Sequence, residues 1–219
     1  MIVFREWSEL AGAGTFRAIV AGGGGVDCAA LFTRAFDEIA ASGLGPTQIV
    51  RSRIWARDAA LRQEASNARL VALAGDKRAS SASFIAPEFM AEGIDVAVDV
   101  VAMAGAGDKQ IREYEPRIAP PMFVKCGGLV FLSGNTDISA TFDAQLGNIC
   151  RNIAASLAEA NVSWGDIVNV DAYLSRKMDF ADVGKAIRAR FPTPVKVVNV
   201  DGFSAPEKLI EIEVTAKPK

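Results

Sequence analysis

The stretch with the clearest capacity for chemistry lies near the end of the sequence, where Leu209 to Ala216 reads LIEIEVTA. Glu211 and Glu213 alternate with Ile210, Ile212 and Val214, the period-two pattern of a strand that buries one face. Both carboxylates then stand on the face turned away from the core. There they can move protons or sit as solvated charges, and alternation alone leaves both readings open, because exposed strand faces are commonly charged. The sequence contains no histidine, which excludes a Ser-His-Asp triad, a histidine base and a His-rich metal site. Any acid-base chemistry falls to Glu, Asp, Lys, Tyr, Cys or water.

The elements that must position these carboxylates occur twice. Ile94 to Ala102 reads IDVAVDVVA, which places Asp99 opposite Glu213 and Ala97 opposite Glu211. Ile49-Val50 followed by Trp55 matches Ile167-Val168 followed by Tyr173 at the same spacing, and Phe36, Ile39 and Ala40 fall opposite Ala154, Leu157 and Ala158. Each unit spans roughly 100 residues, an ordinary domain size. The expected organisation is a domain over 1–104, a linker over 105–118 and a second domain over 119–219.

A chain of 219 residues that is 50% hydrophobic can bury a sizeable core without metals or disulfides. A net charge of −2 and a pI near 5.4 argue against a basic footprint for nucleic acid. Cys28, Cys126 and Cys150 are odd in number and lack CxxC spacing, so reduced core thiols are expected. No apolar run reaches the ~20 residues that cross a bilayer, and the opening MIVFREW is charged where a signal peptide is apolar. The expectation is a cytoplasmic protein without a membrane partner.

Along the first unit, strands are expected at Ile2 to Trp7 and Phe16 to Ala21, then a helix carrying Leu31, Ala35, Phe36 and Ile39 on one face. The Gly22–Gly25 run between them invites a dinucleotide-binding reading. Asp27 stands where the third glycine of GxGxxG belongs, however, and a flexible turn is the simpler account. A strand over Gln48 to Trp55, a helix over Arg57 to Leu73 and two further strands complete the unit. In the second, Met122 to Cys126 and Leu129 to Ser133 flank Gly127-Gly128, a two-residue hairpin signal. Helices at Thr141 to Ala160 and Asp179 to Phe191 follow, the latter broken by Pro192 and Pro194. Each half thus reads strand, strand, helix, strand, helix, strand, strand. Both helices cover one sheet face, and the other needs water or another subunit.

The runs CGGLVFLSGNTD (Cys126 to Asp137), NICRNIAASLAEAN, SWGDIVNVDAYLS, DFADVGKAIRARFP and IEIEVTA resemble, in order and spacing, the YjgF/RidA family, also called endoribonuclease L-PSP, over Pro120 to Ala216. The first half resembles a diverged copy through SRIWARD, KRASSASF and VAVDVVA. The resemblance implies an α/β (α+β) chain of two tandem chorismate-mutase-like domains, each a mixed sheet with two helices on one face. It also implies trimer-type packing through open sheet faces, hence a homo-oligomer, with small-molecule clefts between units. The implied activity is hydrolysis of small enamines or imines such as 2-aminoacrylate, or a related tautomerisation, with neither metal nor cofactor.

Carried over residue by residue, the resemblance puts a catalytic glutamate at Glu211 and a substrate-binding turn at Ser133-Gly134. The family's carboxylate-binding arginine falls on Val195, with Lys196 next to it on the opposite strand face. Its cleft tyrosine falls near Pro120. In the first half Arg78, followed by Ser80 and Ser81, resembles the arginine motif, while Ala97 occupies the glutamate position. Arg78 is either a substrate-binding residue or a surface charge beside Asp76 and Lys77. One expectation is that Arg78 and Glu211 share a cleft between units, the arginine holding an anion and the glutamate relaying a proton. With Val195 unable to bind a carboxylate, turnover of 2-aminoacrylate is expected to be weak or absent. A metabolite-binding or scaffold protein without catalysis is the alternative, and a ribonuclease is third, lacking both the usual base and a basic surface.

Overall fold

The computed structural model describes residues 1–105 and 107–218. Ala106, inside the expected linker, and Lys219, at the end of the second domain, lie outside the described residues.

The N-terminal unit follows the expected order: β1 (Ile2–Leu10), β2 (Ala13–Gly22), α1 (Cys28–Ala41), β3 (Ile49–Ala56), α2 (Ala59–Ala72), β4 (Ser80–Ile85) and β5 (Val96–Met103). Its five-stranded sheet has the order β1-β2-β5-β3-β4, with β3 and β4 parallel and the other neighbours antiparallel. The residue that breaks the glycine fingerprint has a structural role, since Asp27 caps α1 by accepting from the Ala29 amide. Asp58 caps α2 in the same way through the Leu61 amide.

The C-terminal unit comprises β6 (Gln110–Arg112), β7 (Phe123–Cys126), β8 (Leu129–Leu132), β9 (Asn135–Thr136), α3 (Phe142–Glu159), β10 (Ile167–Ser175), α4 (Phe180–Arg188), β11 (Val195–Val200) and β12 (Ile210–Ala216). Its sheet runs β11-β10-β12-β8-β7-β6, with β9 also paired to β12. Gly127 and Gly128, at φ of 56° and 74°, make the β7–β8 hairpin turn in the left-handed region that side chains resist. The expected linker is not free of structure, because β6 adds an edge strand beside β7.

Strand register confirms the repeat. Trp55 lies opposite Ala97 and Arg53 opposite Asp99 in the first sheet, as Tyr173 lies opposite Glu211 and Asp171 opposite Glu213 in the second. Each unit has its own core between helices and sheet, with Leu31, Phe32, Ile39, Ile54 and Val98 in one and Leu146, Ile149, Ile153, Ile212 and Val214 in the other.

The faces left bare by the helices meet within the chain. Phe84 stacks on Tyr173 with ring centroids 4.0 Å apart, and Val50 and Met103 pack on Val124 and Phe131. Between these apolar patches lies a buried ionic network. Arg53 donates from Nε to Glu213 at 2.6 Å and from Nη2 to Asp171 at 2.8 Å, and Tyr173 donates to Glu213 at 3.1 Å. Arg17 holds Asp99 through two bonds of 2.9 and 2.7 Å. Much of the face that alternation marked as uncovered is therefore covered by the sister unit.

Candidate functional site

Strand β4 fastens the two units along one edge and opens a cleft beside it. The Ser81 amide donates to Ser133 Oγ at 3.1 Å, and the Gly134 amide donates to the Ser81 carbonyl at 3.1 Å. These bonds are possible because the register along β12 slips by one residue between Phe131/Thr215 and Asn135/Ile212. Such a bulge turns Ser133 and Gly134 out of the ladder and toward the neighbouring unit. Ser133 thus serves the junction, whereas Gly134 also lines the cleft.

The cleft has a volume of about 710 Å³, within the range of small-molecule sites. Its walls are α2 and β4 from the N-terminal unit, α3 and the β8–β9 bulge from the C-terminal unit, the segment carrying Tyr114 to Pro120, and the turn before β12. Glu211 faces into it. A Cβ on Gly134 would lie 1.8 Å from Glu211 Oε1, so glycine is what lets the carboxyl lie against the bulge.

Glu211 is 6% exposed, and among the described residues its carboxyl has no hydrogen bond or ion pair. Burial, then the nearby Glu213 carboxylate, raise its pKa to about 8, against the pull of Lys208, Arg69 and Arg62. Glu213, one residue pair along the same face, differs because Arg53 neutralises it. One strand therefore carries a paired glutamate that ties the sheets and an unpaired one that faces an open site.

The cations near Glu211 come from positions that sequence reasoning missed. Arg62 and Arg69 lie seven residues apart on α2, two helical turns, with Ser66 between them on the same face. Arg62 donates to Ser83 Oγ and Gln63 Oε1, both at 3.0 Å, and its Nε has no partner. Arg69 donates to the Ala82 carbonyl at 2.7 Å. Neither guanidinium makes an ion pair among the described residues. Burial lowers the pKa of Arg69 to about 10 and that of Arg62 in the same direction, and both remain cationic at neutral pH. Lys208, from the turn before β12, donates to Ser204 Oγ at 2.7 Å, and burial pulls it down as well.

Arg78 does not line this cleft. It is 7% exposed and donates to Glu113 and to the Ala119 carbonyl, each at 2.8 Å, pinning the connecting segment against the first unit. Its charge is matched by Glu113, so the structure does not bring Arg78 and Glu211 together in one cleft. Val195 packs in the C-terminal core, while Lys196 stands exposed on the other face of β11. The family tyrosine position near Pro120 is apolar, yet Tyr114 reaches the same cleft from the connecting segment, its hydroxyl pKa raised by burial. The signal that could have found the arginines is the Arg62-Ser66-Arg69 stripe, which borders the apolar face of Leu61, Ala65 and Ala68. Cys28, Cys126 and Cys150 are free thiols, all with pKa values raised by burial, Cys28 to about 11. Among the described residues no group of three His, Cys, Asp or Glu side chains could hold a metal ion, and no helix is long and apolar enough to cross a membrane.

Fold and site together define a two-unit α+β protein with a polar small-molecule cleft at the unit junction. Residues 110–217 match the family model described as Endoribonuclease L-PSP, so the C-terminal unit belongs to that family, also known as YjgF. A solved chorismatase structure superposes on 96% of this chain and 79% of its own length, with a TM-score of 0.65 at 18% identity, so the two share a fold along both units. A YjgF-family structure from Mycobacterium tuberculosis aligns with 50% of this chain and 99% of its own at 25% identity and a TM-score of 0.43. A YjgF-family protein from Neisseria meningitidis aligns with 51% of this chain and 96% of its own at 23% identity and a TM-score of 0.43. A comparison with curated protein sequences returned no match.

Proposed function

We propose that the junction cleft binds a small enamine or imine bearing a carboxylate and hydrolyses it, with Glu211 as the proton carrier. The observation that carries this reading is a buried carboxyl, without a partner among the described residues, facing a cleft with Arg62, Arg69 and Lys208, where burial raises its pKa to about 8. An arginine in this setting binds the substrate carboxylate, the role for which Val195 is unsuited. A bound carboxylate brings a like charge near Glu211 and holds it in the acid form.

The steps balance without an added reactant beyond water. Glu211 gives its proton to the enamine carbon, forming an iminium and a carboxylate. Water adds to the iminium carbon while the carboxylate takes one of its protons. Glu211 then protonates the nitrogen, the C–N bond breaks, and the hydroxyl proton returns to Glu211. The products are a keto acid and ammonia. A cleft of about 710 Å³ is roomy for a three-carbon molecule, so the preferred substrate is larger than 2-aminoacrylate.

The test is ammonia release from a panel of imino acids generated in situ by an amino-acid oxidase. Turnover is expected with wild type, and Glu211→Gln should lose about 10²–10⁴-fold of it, the usual worth of a general acid-base group. Wild type that binds the imines without accelerating their hydrolysis would favour the metabolite-binding alternative. We also read the protein as a homo-oligomer, because β1 exposes Ile2 at 54% and Phe4 at 49% on the sheet face opposite its helices. Light scattering that gave only the 23.2 kDa monomer at micromolar concentration would overturn that.

A further inference from the structure

We infer that the ligand of this cleft carries two acidic groups, carboxylate or phosphate, held by Arg62 and Arg69 of α2 together with Lys208. The inference rests on the reading of the cleft as a small-molecule site and narrows the class of molecule it takes.

Among the described residues the cleft lining contains five ionisable acidic or basic side chains besides tyrosine, namely Arg62, Arg69, Lys208, Glu159 and Glu211. Glu159 drops out of the charge balance, because Arg112 holds it at 2.9 Å. Three cations then face one carboxyl. Ionised, Glu211 would leave a net charge of two to be met; protonated, it leaves three. A single carboxylate therefore cannot neutralise the site in either state of Glu211.

Geometry agrees with the charge balance. Arg62 is only 6% exposed and keeps an unpartnered Nε, a combination that costs free energy unless a ligand supplies the acceptor. The Ser66 hydroxyl between the two arginines also lacks a partner and can donate to the same ligand. Seven residues of helix separate the two Cα atoms by roughly 10 Å. The guanidinium groups can therefore meet acidic groups on two ends of one molecule. Among the described residues neither arginine is consumed by an ion pair, whereas Arg78, just outside the cleft, is paired with Glu113. Excess cationic charge in the cleft is thus a property of the site and not of the surrounding surface.

Titration calorimetry with benzoate and isophthalate tests this, since the two probes share a ring and differ by one carboxylate. Isophthalate is expected to bind at least about ten-fold more tightly at low salt, the worth of roughly 1.4 kcal/mol. Arg69→Gln, at the half-buried position, should bring isophthalate to the benzoate level, and Arg62→Gln should do the same if thermal melting shows it folded. Equal affinity of wild type for the two probes would overturn the two-acid inference while leaving a one-carboxylate site intact. Binding of neither at millimolar concentration would overturn both the inference and the small-anion reading beneath it. The wild-type comparison decides the matter even if both variants fail to fold.

Discussion

Glu211 and Glu213 are two residues apart on one strand, and their environments differ in whether a cation is within reach. Glu213 is paired with Arg53 at 2.6 Å, whereas Glu211, buried and without a partner among the described residues, has its pKa raised to about 8 by that burial. The unfolded chain would ionise Glu211 near its ordinary value of 4.5. Between these values the folded state holds a proton that the unfolded state has released. Stability linked to this group is fully present below about 4.5 and is lost as pH rises through about 8, by an amount on the order of a few kcal/mol. Glu211→Gln removes the ionisation and keeps the shape. Urea midpoints should therefore show wild type falling relative to the variant between about pH 5 and about pH 8, with other titrating groups common to both chains. Parallel curves across that window would show that Glu211 is not held protonated.

At the scale of elements, the sequence was most legible where local pattern and burial agree. The alternation in LIEIEVTA, the Gly127-Gly128 hairpin and the helical spacing in α3 each follow from one element burying one face. The repeat, too, was readable, and strand register bears it out through Trp55/Ala97 and Tyr173/Glu211. What was not readable depends on packing between units. Arg53 reads as a strand charge until Glu213 and Asp171 of the sister sheet stand opposite it, and Arg62 reads as solvated until the cleft buries it. Arg78 shows the converse, since a motif-like arginine is consumed by Glu113, whose position no local pattern gives. The Arg53 network carries a prediction of its own. Arg53→Met takes from the buried Glu213 and the part-buried Asp171 the guanidinium that bonds both, leaving Glu213 only Arg51 at 3.6 Å, and should cost about 3 kcal/mol in chemical denaturation, the low end of what breaking one side of a buried pair does. Adding Glu213→Leu should recover at least about 1 kcal/mol of that loss, because the two residues are directly coupled. Strict additivity of the two substitutions would remove the network from any role in joining the sheets.

At the scale of the molecule, the repeat sets a choice between two independent domains and one folding unit. Each unit has its own helix-on-sheet core, which favours independence. Yet the bare sheet faces are joined by the Phe84–Tyr173 stack, by the Arg53 pairs and by backbone bonds from Ser81 to the bulge, and Ile85 exchanges bonds with Asp201 and Gly202. Separated, either unit would expose aromatic rings and apolar side chains that pack across the junction, and the charged groups would lose their partners in the other unit. The cost is the loss of the apolar packing of Phe84 on Tyr173 and of Val50 and Met103 on Val124 and Phe131, with the cross-junction hydrogen bonds, together on the order of several kcal/mol, comparable to the total stability of a domain of this size. Junction energy of that order makes the intermediate with one unit unfolded less stable than either end state. The protein should therefore unfold in one transition, with calorimetric and van't Hoff enthalpies equal and with near-ultraviolet dichroism and fluorescence changing together. Two resolved transitions in the calorimeter, or a fragment of residues 107–219 that melts as sharply as the whole chain, would show the units to be separately stable. The cleft, which takes its arginines from one unit and its glutamate from the other, would then be an assembly of two bodies free to move.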